Sequence, residues 1–163
     1  MQPTKDSFYV ALRDRLVATD PGRTTTLDGA TRPAIAVVEN EPPSAAPAQC
    51  DTLYLHWGNA RPAGAPAVNL MTMDCTVSYS TRGSVQNASL DRGRDLAALD
   101  NDLLAICSPP QTPKNDYSGG FPVALGSTIF WTAPVLNAAK NTPPYVGREA
   151  TITVFFYPEV NQS

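Results

Sequence analysis

Apolar and polar side chains alternate without a break across residues 70–80. Met71, Met73, Cys75, Val77 and Tyr79 fall between Thr72, Asp74, Thr76, Ser78 and Ser80. Only an extended strand sends successive side chains to opposite faces, so this run predicts a long β-strand with one apolar and one short-chain polar face. Residues 149–157 repeat the device, with Ala150, Ile152, Val154 and Phe156 set against Thr151, Thr153, Phe155 and Tyr157. A shorter run, 52–57, places Leu53, Leu55 and Trp57 on one side and Tyr54 and His56 on the other. It is expected to pair with the 70–80 strand across a connection over residues 58–67. That connection carries Gly58, Pro62, Gly64 and Pro66 and is too long for a tight turn, which suits a projecting arm. Residues 127–136 alternate again through Ile129, Trp131, Ala133 and Val135, and Pro134 argues that this strand lies at an edge or ends there.

Two segments change to a helical period. In residues 4–19, Phe8, Leu12 and Leu16 fall at i, i+4 and i+8, Val17 widens the stripe, Thr4 or Asp6 supplies a cap, and Pro21-Gly22 ends the helix. Arg13, Asp14 and Arg15 take the solvent side. From Ser89 as N-cap to Cys107, Leu96, Leu99, Leu103 and Ile106 form a buried stripe, Asp91, Arg94, Asp95 and Asp102 an outer one, and Pro109-Pro110 stops it. Between the first helix and the 52–57 strand, residues 24–27 and 34–38 read as a hairpin about Asp28-Gly29, with Pro33 at the start of its second strand. Residues 41–49, rich in Pro, Ala and Ser, and residues 111–125 read as loops, and 137–147 as a polar turn region. The order of elements predicts one α+β domain over 1–163, a mainly antiparallel β-sheet flanked by two helices.

A chain of 163 residues buries roughly 70% of the surface it would expose unfolded, so its core needs no disulfide or metal. Only 17% of residues are charged and 16 are prolines, so the surface relies on Thr, Ser, Asn and Ala between proline-bounded loops. A net charge of −3 without a Lys/Arg cluster argues against nucleic-acid binding, which rests on neutralising phosphates. No apolar run reaches the roughly 20 residues that span a bilayer, and residues 1–6 lack the basic and apolar regions of a signal peptide. The expected compartment is a cytosol. Cys50, Cys75 and Cys107 form no C-x-x-C pair. Cys75 and Cys107 sit on apolar stripes and read as small hydrophobes, whereas periodicity does not account for Cys50.

Candidate chemistry is sparse. His56 is the single histidine and no convergent His, Cys or carboxylate spacing accompanies it, so no metal is expected. A triad of His56 with Asp74 or Asp51 and Ser78 or Ser80 lacks the G-x-S-x-G elbow, and the glycines match neither a phosphate loop nor a dinucleotide fingerprint. No cofactor is therefore expected. Asp91, Asp95 and Asp102 fit a solvated helix face better than a carboxylate pair, and Asn87-Ala88-Ser89 fits a helix start better than a glycosylation acceptor.

The opening helix, the Pro33-Ala34-Ile35-Ala36-Val37-Val38 strand, the long alternating strands, the helix over 90–106 and the closing strand over 151–157 together resemble the tail terminator proteins of tailed bacteriophages and related minor tail proteins. The resemblance implies a structural virion protein and not an enzyme. Its subunits would form a ring, usually a hexamer, that caps the tail tube and meets the neck or head-tail connector protein, in a virion assembled in the bacterial cytoplasm. The two extra proline loops, 41–49 and 111–125, depart from that pattern. Long neutral strand faces suit side-by-side packing of copies, since they bury with little ionic desolvation, and closure into a ring removes free sheet edges. Trp57, Arg61, Tyr117, Phe121 and Tyr145 are the expected interface residues. Two alternatives remain: a small cytosolic enzyme or ligand-binding domain with a pocket formed by His56, Tyr54, Trp57 and the 58–67 loop, and an adaptor that adds a partner strand at the 127–136 edge.

Overall fold

The computed structural model of the chain describes residues 1–40, 49–64, 69–83 and 88–159. In chain order the elements are α1 (Gln2–Thr19), β1 (Thr24–Leu27), β2 (Ala30–Pro33), β3 (Ile35–Val37), β4 (Leu53–Trp57), β5 (Arg61–Pro62) and β6 (Met71–Thr81). There follow α2 (Ala88–Ile106), β7 (Gln111–Asp116), β8 (Val123–Trp131), β9 (Val135–Leu136), β10 (Lys140–Thr142) and β11 (Tyr145–Phe156). The fold is α+β.

The two long alternating runs form its centre. β6 and β11 pair antiparallel from Val146↔Thr81 to Phe156↔Met71, a register that sets Ile152 beside Cys75 and so brings the two apolar faces into one plane. β4 lies on the far side of β6 with Leu55 beside Val77, and β8 on the far side of β11 with Trp131 beside Val154. The main path of the sheet runs β3-β4-β6-β11-β8-β7, with β5 against β6 and β9 and β10 against β11. All of these pairs are antiparallel except β3 with β4.

Both helices pack on one face. Phe8, Leu12 and Leu16 of α1 and Leu96, Leu99, Leu103 and Ile106 of α2 join Met73, Cys75, Val77, Ile152, Val154 and Phe156 in a single buried cluster. Phe8 meets the edges of Trp57 and Trp131 at ring separations of 5.4 and 5.0 Å. Val17 stays exposed, because the core lies on one side of α1 only and the Phe8–Leu12–Leu16 line already fills it. No side chain caps α1, whose first turn holds a proline instead. Arg15 is drawn inward rather than solvated. It donates to the carbonyl oxygens of Ile106 (2.9 Å), Pro109 (2.7 Å) and Gln111 (2.9 Å) over the Trp131 ring, tying α1 to the end of α2.

Several expectations are corrected. Asp28 and Gly29, both at positive φ, turn the chain into β2, so the partner of β1 is Ala30–Pro33. Pro33 closes that hairpin, and Ile35–Val37 goes on to join the main sheet parallel to β4. Residues 111–125 are not a loop, since β7 and the start of β8 form a hairpin there. The region 137–147 contributes β10, which turns at Pro143-Pro144 into a β11 that starts four residues early. The described part of the 58–67 connection, up to Gly64, does not project. Gly58 N and Ala63 N donate to Asp74 O and Leu70 O, both at 2.9 Å, laying β5 along β6. α2 already begins at Ala88, so Ser89 lies inside the helix rather than at its N-cap. The 41–48 stretch, the end of the 58–67 connection at 65–67 and Asn87 lie outside the described residues.

Candidate functional site

Because the helices cover one face of the sheet, the polar halves of the alternating strands are left facing outward. Register puts Tyr54 and His56 of β4, Asp74, Thr76, Ser78 and Ser80 of β6, and Gly147, Glu149, Thr151, Thr153 and Phe155 of β11 on this face. Its charges are neutralised within it. Asp74 accepts from Thr153 Oγ1 and pairs with Arg61 Nη2, both at 2.8 Å, and Lys140 Nζ lies 3.3 Å from Glu149. The Thr153 hydroxyl, outweighing partial burial and joined by Arg61, holds the Asp74 carboxyl below its ordinary value. Phe130 and Phe155 stack at 5.3 Å with planes 6° apart at one end of the face.

At the other end lies a recess of about 270 Å³ bounded by Ser78, Ser80, Lys140, Thr142, Tyr145 and Glu149, with Gly147 at its floor. Gly147 is fixed by the close approach of β6. A Cβ there would sit 3.0 Å from Tyr79 O and 3.2 Å from the Ser80 Cβ. Behind the recess, on the core side, the Tyr79 hydroxyl donates to Asp100 Oδ1 at 2.6 Å, and Arg148 Nε pairs with the same oxygen at 3.0 Å. Burial and the Asp100 carboxylate push the Tyr79 hydroxyl far up, so it remains a donor.

The hairpin of β7 and β8 forms a second surface. Its inner part is anchored: Ser7 Oγ accepts from Asn115 N at 2.8 Å, and Lys114, 1% exposed, pairs with Glu159 and donates to Tyr157 O at 2.6 Å. Beyond the last paired positions, Asp116↔Val123, the chain turns through Gly119 and Gly120, and the tip stands clear of the sheet. Phe121 is 81% exposed, Val123 59% and Leu125 39%.

The expected interface residues divide. Phe121 is the tip of this arm, Tyr117 sits half-buried at its base, and Tyr145 is the wall of the recess beneath Arg82, 5.3 Å from its ring. Arg61 is on the outer face, held by Asp74. Trp57 belongs instead to the core side against Phe8, because its strand parity matches Leu53 and Leu55. The same parity separates it from Tyr54 and His56, so the supposed pocket of these three is not assembled. His56 Nε2 meets Ser78 Oγ at 2.8 Å on the open face, and Asp74 is engaged elsewhere. Phe130 and Trp131 pair with β11, whereas Thr128 and Ile129 of the expected edge are paired with β7 alone. The recess went unread in the sequence, although a glycine inside the alternation of β11 was the signal for it.

Other chemistry is not gathered at either surface. Burial raises all three thiols, Cys107 to about 12, so none is a ready thiolate. Among the described residues no three His, Cys, Asp or Glu side chains converge as for a metal, and no helix is long and apolar enough to cross a membrane. No protein-family model and no curated protein matches this chain.

Proposed function

We propose that the chain is a structural subunit of a tailed-bacteriophage particle, resembling the tail terminators, whose copies close into a homo-oligomeric ring. The ring would cap the tail tube and offer a surface to the neck or head-tail connector protein. One observation carries this reading: of the twelve exposed large apolar side chains among the described residues, five, Phe121, Val123, Leu125, Phe130 and Val135, fall within fifteen consecutive residues, beside a sheet face that neither described helix covers. Contiguous exposed apolar surface on a small domain marks a contact, and a contact between unlike patches on identical chains closes into a ring when its rotation allows.

The outer face supports the same reading. Its ions are paired within it and its remaining groups are hydroxyls and aromatic rings, so burial against a neighbour strands no charge. The partners are then other copies of the chain, the tail tube protein and the connector, and the site is the virion, assembled in the bacterial cytoplasm. Catalysis has no part in it. Electron microscopy of the purified protein in negative stain tests the proposal. Closed annular particles with a central channel are expected, and a field of single small globules overturns it.

A further inference from the structure

Resting on the ring reading above, we infer that the arm of one copy inserts Phe121 into the Gly147 recess on the outer face of the next. The arm and the recess lie at opposite ends of one strand. β8 meets β11 only at Phe130↔Phe155 and Trp131↔Val154 and runs antiparallel to it, so the residues before Phe130 extend past the Phe156 end of β11. The recess surrounds Tyr145, Gly147 and Glu149 at the other end, roughly 30 Å away at about 3.4 Å per residue. No chain can place its own arm in its own recess. A second copy can, and a contact between two different patches is the head-to-tail kind from which rings are built.

The arm is constructed for such a contact. A two-stranded ribbon is marginal by itself in water, yet its turn is fixed: Gly120 N donates to Tyr117 O at 3.1 Å and Ser118 N to Asp116 Oδ1 at 2.9 Å. A fixed turn that leaves a phenylalanine 81% exposed presents an aromatic anchor whose ordering cost is already met.

The recess presents charges that are already paired. Residues 117–131 carry no charged side chain, and the recess charges are paired within the chain, Lys140 with Glu149 and Arg148 with Asp100. An uncharged arm therefore displaces no counter-ion. The ring of Tyr145, held under Arg82, forms a wall for edge-to-face contact, and the recess of about 270 Å³ beside Gly147 is the space offered to the side chain.

Placing p-benzoylphenylalanine at position 121 tests this, because the replacement keeps the aromatic anchor. Equal amounts of unlabelled and 15N-labelled chains are mixed, irradiated and digested, and the mass in solution is measured on the same sample. The expected product is a mixed-isotope crosslink from 121 to the peptide containing residues 140–149. Crosslinks elsewhere on a neighbour, or none between copies in a sample that is oligomeric, overturn the arm-to-recess pairing and leave the ring standing. A monomeric mass overturns both. In parallel, Phe121→Ala is expected to weaken self-association by about 30-fold or more while leaving the melting temperature of the chain unchanged at dilutions where both proteins are dissociated. Unchanged self-association contradicts the pairing.

Discussion

Replacing Glu159 with Gln probes the ion pair that fastens the end of the chain to β7. The Lys114 ammonium is 1% exposed and has three partners: the Glu159 carboxylate, Tyr157 O at 2.6 Å and the face of Phe156 at 5.6 Å. Gln keeps the shape and an acceptor oxygen but leaves the cation buried without a counter-charge. Removing one member of a buried pair costs about 3–5 kcal/mol. Glu159 is 30% exposed, which puts the expected loss near the lower end, about 3 kcal/mol at pH 7 by urea denaturation.

The pH dependence gives an independent reading of the same pair. Burial raises the Glu159 pKa, but hydrogen bonds from Lys114 and the Met1 ammonium outweigh it and hold the group at about 2, against 4.5 for the free side chain. Because the folded value is the lower one, the ionised carboxylate stabilises the fold fully above pH 4.5. That contribution disappears as pH falls towards 2, a change of about 2–3 kcal/mol. The stability gap between the parent protein and Glu159→Gln is therefore expected to narrow across this window. A gap under about 1 kcal/mol at pH 7, or one that stays constant from pH 5 to pH 2, refutes the reasoning.

Two further substitutions test the ground around the recess. Tyr79→Phe removes the 2.6 Å bond to Asp100 in a residue 4% exposed and is expected to cost about 1–2 kcal/mol by the same assay, Asp100 keeping its pair with Arg148; no loss at all means that the bond adds nothing. Gly147→Ala sets a methyl group 3.0 Å from Tyr79 O, so β6 and β11 must spread locally. About 1–3 kcal/mol of destabilisation is expected, and a neutral result shows that the strands yield freely.

Periodicity made the centre of this fold legible. The alternation through Met73, Cys75 and Val77 and through Ile152, Val154 and Phe156 identifies both central strands and their inner faces, and the Leu96–Leu99–Leu103 stripe identifies α2. β7 was hidden because Gln111-Thr112-Pro113-Lys114-Asn115-Asp116 contains no apolar residue. It is a strand by virtue of its pairing with β8 and its anchor to Ser7, and Lys114 is buried there only because Glu159, remote in sequence, answers its charge. The parallel pairing of β3 was equally hidden, since Asp28-Gly29 signals a hairpin without saying which downstream residues return. Of the surface residues, Phe121 and Tyr145 were readable as large groups among turn residues. Alternation alone sets Trp57 on the Leu53–Leu55 side of its strand, and the structure places it there, edge-on to Phe8 and on the core side of the sheet.

The central claim is that these strands and this arm exist to join copies of the chain. Light scattering coupled to size exclusion, run over a wide range of concentrations, addresses it most directly. The account predicts a mass at a fixed multiple of the 17.4 kDa chain, six by the resemblance to tail terminators, that persists on dilution. A mass of one chain at every concentration contradicts it.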